Sequence, residues 1–177
     1  VAACSITVGY SIRYSMNGGK NNRLNPSVYY QEKVTLKAPQ RKGYAFKGWY
    51  TSKNFKASSR VKSIAKGSAK NYTLYAKWSK IKTGKVGSIS LKNVKTKSLK
   101  ASWKKVKGVK GYEVVYSTDK RFRKNKNIKV TSKRALTFRK LRKGKVYYVK
   151  VRAYKLDSAN KKVYGAYSKT AKMRIVK

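Results

Sequence analysis

Residues 145–156 read KVYYVKVRAYKL, and their alternation decides the architecture of the second half of the chain. Tyr147, Val149, Val151 and Ala153 fall on one side, with Tyr148, Lys150, Arg152 and Tyr154 on the other. A period of two with one apolar side is the pattern of a strand that covers a core. Working outward, Tyr112, Val114 and Tyr116 alternate with Glu113, Val115 and Ser117, and Leu99, Ala101 and Trp103 alternate with Lys100, Ser102 and Lys104. Residues 86–91, 128–131, 135–141 and 170–176 are rich in the same β-forming types. No sustained helical period occurs here, and seven short strands in about 90 residues fit an antiparallel sandwich. Leu99, Ala101, Trp103, Tyr112, Val114, Tyr116, Tyr147, Val149 and Val151 are its expected core.

Upstream, residues 79–87 (SKIKTGKVG) lose all periodicity. A domain boundary is placed there, dividing the chain into a module over 5–79, a linker over 80–85 and a second module over 86–177. In the first module, Ile6, Val8, Tyr10, Ile12 and Tyr14 alternate, and Asn17-Gly18-Gly19 signals a turn. Val34-Thr35-Leu36 is a short strand stopped by Pro39. Residues 43–50 (GYAFKGWY) and 72–78 (YTLYAKW) are strands; the polar stretch 52–66 leaves room for a short helix or turn.

Charge is the strongest compositional feature. The 177 residues hold 48 Lys and Arg against Glu32, Glu113, Asp119 and Asp157, a net charge of +44. The first 80 residues carry 16 basic and one acidic residue, net +15; the remaining 97 carry 32 and three, net +29. Such a chain repels itself and attracts polyanions. The lysines sit at turns and at alternate strand positions, where they also act as solvated surface and discourage edge-to-edge pairing.

Several classes of chemistry lack their residues. Cys4 is the single cysteine and there is no histidine, so neither an internal disulfide nor a zinc site can be assembled. The four carboxylates are scattered, and no phosphate-binding glycine loop followed by Lys-Ser or Lys-Thr occurs. The count of Ser and Lys leaves a Ser–Lys dyad open, but no motif supports one. A non-enzymatic chain with no cofactor, no metal and no catalytic residues is expected. No run of about 18 apolar residues occurs that would span a bilayer. Val1-Ala2-Ala3 before Cys4 fits the tail of a secretion signal, a lipobox whose cysteine would carry lipid, or a plain lead-in to the first strand.

Two resemblances follow from particular strings. Tyr14 with Asn17-Gly18-Gly19, Asn25-Pro26, Arg41 through Tyr50 and Leu74 through Trp78 resemble the Listeria–Bacteroides repeat, or internalin-type B repeat. This implies a small β-grasp-like module of secreted and surface bacterial proteins, acting as spacer or adhesive unit. Trp103, Gly111 through Ser117 and Leu141 through Ala153 resemble a Lys-rich bacterial fibronectin type III domain, with Tyr147 as its corner tyrosine and Leu141 as that residue's partner. There is no Arg-Gly-Asp, so integrin binding by that route is unsupported. The resemblances imply a mainly β chain, a β-grasp-like module followed by a fibronectin type III sandwich, in which Trp49, Trp78, Trp103, Tyr112 and Tyr147 are framework.

Together these readings give the expectation of a monomeric, secreted or cell-surface adhesion module of a Gram-positive bacterium. Its partners would be polyanions (teichoic acid, sulfated or sialylated glycans) or a host surface protein. A soluble fibronectin type III signalling ligand acting on a host receptor is one alternative. Nucleic-acid binding is another, though no recognition motif supports more than non-specific contact. The outer side of 145–156 is the candidate binding face: Tyr148, Lys150, Arg152 and Tyr154 alternate ring and cation there.

Overall fold

Alternating rings and aliphatics produce strands almost throughout the computed structural model, which describes residues 7–176. Cys4 and the start of the expected first strand at Ser5 and Ile6 lie outside the described residues. The chain divides into two compact units, one of Val1–Ile81 with Asp157–Lys161 and one of Lys82–Leu156 with Lys162–Lys177.

The first unit contains β1 (Tyr10–Ser15), β2 (Val28–Tyr29), β3 (Val34–Thr35), β4 (Tyr44–Tyr50), β5 (Arg60–Val61), β6 (Ser63–Ile64) and β7 (Tyr72–Lys80). Its main sheet runs β2-β1-β7-β4-β5, and β3 pairs with β6. The β1–β7 pair is parallel, with Ile12 opposite Tyr72 and Tyr14 opposite Leu74; the other pairs are antiparallel. The single helical piece among the described residues is the 3-10 turn Ala57–Ser59, within the stretch expected to hold a helix or turn. One face of β7 supplies Leu74 and Ala76 to a core shared with Ile12, Tyr29, Trp49 and Ile64. Trp49 meets Tyr14 and Phe46 edge-on, at centroid distances of 5.2 and 5.4 Å, and its indole N–H reaches the Lys37 carbonyl. Trp78 is half-buried at the margin of this core, and its N–H reaches the Met16 carbonyl at 2.9 Å.

The second unit contains β8 (Ile89–Lys92), β9 (Leu99–Trp103), β10 (Gly111–Ser117), β11 (Asn127–Thr131), β12 (Ala135–Phe138), β13 (Val146–Leu156), β14 (Lys162–Tyr164) and β15 (Ala171–Arg174). One sheet is ordered β12-β9-β8; the other is β11-β10-β13-β14, with β15 also pairing to β13. Leu99, Ala101 and Trp103 from the first sheet meet Tyr112, Val114, Tyr147, Val149, Val151 and Ala153 from the second. Tyr116, expected inside, packs against this core while partly buried. The Tyr147 hydroxyl accepts the Arg142 N–H at 3.1 Å, pinning the turn that opens β13, and Leu141 is buried nearby in the same core. Trp103 is buried edge-on to Tyr112, and its indole N–H has no partner among the described residues.

Of the expected linker 80–85, residues 81–85 carry no secondary structure. β7 runs through Lys80, and the Thr83 hydroxyl donates to the Val163 carbonyl at 2.8 Å.

Candidate functional site

Antiparallel pairing of β10 with β13 sets Tyr148 beside Ser117, Lys150 beside Val115, Arg152 beside Glu113 and Tyr154 beside Gly111. All four expected site residues therefore share one face of one strand. The face is not open, as the alternation suggested. Val115 is fully buried on it, Glu113 is buried, and Tyr154 is buried as well. A second layer produces this burial: Phe122 from the loop after β10, Tyr164 on β14 and Tyr167 beyond it.

Glu113 anchors that layer. One of its carboxylate oxygens accepts from Arg152 Nε and the Tyr167 hydroxyl, each at 2.8 Å, and lies 2.8 Å from Arg152 Nη2 in the same ion pair. Burial by itself would raise the Glu113 carboxyl; hydrogen bonds from Tyr167 and Tyr164 and the Arg152 charge outweigh it and hold the carboxyl below its usual range. Burial, and then the hydrogen bond to Glu113, pushes the Tyr167 phenol up to about 12.

Rings and cations interleave around this anchor. The Arg152 guanidinium lies 3.7 Å from the Tyr164 centroid and 4.6 Å from that of Tyr167. The Lys150 ammonium lies 4.4 Å from Tyr167 and 4.3 Å from Phe122. Tyr154 meets Tyr164 edge-on at 5.9 Å and receives the Lys162 ammonium at 4.9 Å. Rings hold desolvated cations through their quadrupole faces. Phe122 is placed by a tight loop in which the Asp119 carboxylate takes the N–H groups of Arg121, Arg123 and Lys124. The Phe122 backbone is left-handed there, with φ of 55°.

The cluster therefore satisfies its own charges in part. Arg152 is paired and stacked, Tyr154 is covered, and Tyr148 and Lys150 keep half-exposed side chains. Glu113, Phe122, Tyr164 and Tyr167 were not singled out from the sequence. The available clue was Glu113 itself, a lone carboxylate in the middle of an alternating strand of a chain with net charge +44. No group of three or more metal-ligating side chains occurs among the described residues.

Residues 10–77 match the family model of the Listeria-Bacteroides repeat domain, and residues 84–166 match that of the fibronectin type III domain. The chain is a Listeria-Bacteroides repeat domain followed by a fibronectin type III domain. The Glu113–Arg152 cluster belongs to the fibronectin type III domain. Both domain types are typical of extracellular or cell-surface proteins, where they usually bind or space rather than catalyse. No helix among the described residues is long and apolar enough to cross a membrane.

No curated protein matches the chain significantly. Among solved structures, it is similar to the sixth fibronectin type III domain of human fibronectin type III domain containing protein 3, at 12% identity and a TM-score of 0.45, covering 55% of this chain and 90% of that one. It is also similar to a Fn3-like protein from Clostridium thermocellum, at 17% identity and a TM-score of 0.42, covering 52% of this chain and 92% of that one. The chicken CNTN1 FN1–FN3 domains are similar at 20% identity and a TM-score of 0.45, covering 65% of this chain and 40% of that one.

Proposed function

We propose that the chain is a non-catalytic module of a secreted or surface-attached bacterial protein that adheres to anionic polymers, either wall polymers or host glycans. One observation carries this reading: the carboxylates do not neutralise the basic surface. Among the described residues, one Lys or Arg pairs with a carboxylate, Arg152 with Glu113. Glu32 accepts from the Tyr30 backbone, Asp119 from the backbone of its own loop and Asp157 from Ala159 and Lys161. Among the described residues the other cations form no salt bridge, though Lys161 and Arg123 lie near Asp157 and Asp119, so an external polyanion gains most of its contacts without breaking internal ion pairs.

Within the fibronectin type III domain, Tyr148, Lys150 and part of Arg152 are the accessible part of the candidate face, and the buried Tyr154 supports it. The denser charge of this half, +29 against +15, makes it the larger contributor.

The test is titration of the full chain with heparin and with teichoic acid at increasing salt. Affinity should fall steeply, by about 10³ or more between roughly 50 and 200 mM if about 6–10 anionic contacts form as on duplex DNA. Lys150→Ser should weaken binding more than Lys20→Ser. Equal losses would leave net charge as the sole determinant. Binding indifferent to salt, or a saturable receptor interaction surviving physiological salt, would overturn the polyanion reading.

A further inference from the structure

A second basic and aromatic concavity lies in the Listeria-Bacteroides repeat domain, lined by outward side chains of its main sheet and reaching Trp78 at the margin of the core. It is a groove of about 640 Å³, a size that takes a small ligand. β7 turns Leu74 and Ala76 inward, so Tyr75 and Lys77 point outward, and Ser15 on β1 lies beside Tyr75. Tyr50 on β4 is the cross-strand partner of Tyr75. An outward sheet face in a small basic domain is expected to be polar throughout; this one carries rings.

Phe55 reaches this face at a cost in backbone strain. Its φ is 56°, a left-handed conformation that bulky residues rarely adopt. Its N–H bonds to the Ser52 carbonyl, and the Asn54 side chain accepts from Ser52 and Lys56, so a local turn holds it. The strained turn lays Phe55 edge-on against Tyr50 at 5.4 Å, with the Lys77 ammonium 5.2 Å from Tyr50 and 5.4 Å from Phe55. Strain of this kind concentrates where a side chain must be presented to a ligand.

Arg41 and Lys53 complete the lining, and no carboxylate takes part in it. Arg41 stacks on Tyr44 at 3.8 Å and gives Nη1 to the Asn17 carbonyl, which fixes the guanidinium while its other nitrogens have no partner among the described residues. Ser15 and Asn17 supply neutral hydrogen-bonding groups at the same end.

We propose that this groove binds an anionic saccharide, with a sugar face against Phe55 and Tyr75, its sulfate or carboxylate on Arg41, Lys53 and Lys77, and its hydroxyls on Ser15 and Asn17. The proposal goes beyond the polyanion reading, on which it rests, by naming a built site that does not depend on net charge. A fixed guanidinium suits a planar or tetrahedral oxyanion. The neutral hydrogen-bonding groups of Ser15 and Asn17 beside the rings favour a hydroxyl-rich sugar over a nucleobase.

The test uses the full chain and tryptophan fluorescence, since Trp78 lines the groove. The probes are a sulfated heparin disaccharide, its desulfated counterpart that keeps the uronate, and a dinucleotide. Saturable binding of a charged disaccharide is expected, weakened at least about tenfold by Phe55→Ala or Tyr75→Ala, the scale of one lost stacking contact. Neither substitution alters net charge. Phe55→Leu, which keeps apolar bulk but removes the ring, should lose affinity at an unchanged melting temperature; it is the variant to interpret if Phe55→Ala unfolds. Lys62→Gln, away from the groove, should change affinity by less than about twofold, as an exposed charge does. Binding of the desulfated sugar assigns the carboxylate as the recognised acid, and its failure beside a bound sulfated sugar assigns the sulfate. Ring variants that bind like the parent, or tighter binding of the dinucleotide, would overturn the proposal. Long heparin should still bind Phe55→Ala at low salt; its failure to bind the parent chain would instead refute the broader polyanion reading.

Discussion

Glu113 and Arg152 are directly opposite across β10 and β13, and two nitrogens of the Arg152 guanidinium lie 2.8 Å from one oxygen of the Glu113 carboxylate. Removing one partner of a fully buried pair costs about 3–5 kcal/mol. The Arg152 side chain keeps 27% of its surface exposed, so solvent screens the charge that Glu113→Ala would leave behind. A loss of about 2–3 kcal/mol is expected, read as a fall in the urea midpoint at unchanged slope. Adding Arg152→Ala should recover part of that loss in a double-mutant cycle.

The same pair contributes to the acid limb of stability, beside Asp119 and Asp157, whose carboxyls are also held low. The Glu113 carboxyl titrates lower in the folded chain than in the unfolded one. Its contribution is therefore complete above the ordinary carboxylate value of about 4.3 and disappears as pH falls through the lower folded value. Glu113→Gln should flatten the fall in melting temperature across that acid window. An identical acid limb in parent and variant would remove Glu113 from the account.

Tyr167 acts at the other end. Its phenol is pushed up to about 12, so the neutral form is favoured by folding. That stabilisation is complete below the ordinary tyrosine value of about 10 and is lost as pH rises through about 12. Phenolate absorbance should show one tyrosine fewer titrating late in Tyr167→Phe than in the parent.

Gly165 and Gly87 give a contrast inside one domain. A Cβ on Gly165 would lie 2.7 Å from the Gly84 carbonyl oxygen and 2.9 Å from that of Thr83, both backbone atoms; one on Gly87 would meet nothing within 4 Å. Gly165→Ala should destabilise by about 1–3 kcal/mol through overpacking, while Gly87→Ala stays within about 0.5 kcal/mol. Thermal melts of the two variants decide it.

Trp103→Ala should cost about 3–5 kcal/mol, the usual loss for a buried large aromatic. Trp103→Phe should cost under half of that, because it keeps a ring in the core and leaves a smaller cavity, while both variants remove the indole N–H that has no partner among the described residues. Equal costs for the two variants would mean that ring volume at this position does not set the stability.

Alternation placed the long strands well, because one-sided burial stamps a period of two on β9, β10 and β13. It gave no hint of β2 or β14, with two and three residues, which are too short to show a period. Residues 80–85 read as linker because they show no alternation, and the partner that the Thr83 hydroxyl finds, the Val163 carbonyl, lies far along the chain. The candidate face failed to read as open or closed for a related reason. Tyr164 and Tyr167 cover it from a separate segment, and alternation along β13 reports which side a residue takes, not what lies above it. The groove around Phe55 was invisible for want of any pattern: its φ and its ring contacts are properties of a turn.

The use of the carboxylates within the chain, on backbone N–H groups and on Arg152, has a consequence for regulation. Acidity tunes many adhesive surfaces through imidazoles that gain or lose a proton near neutrality. This chain has no histidine, and carboxylates and lysines of ordinary kind titrate several pH units to either side of neutrality. A grip built on such groups would be blind to the swings of acidity that loosen histidine-bearing surfaces. Ionic strength and rival polyanions would be its release signals, making it a sensor of salinity rather than of protons.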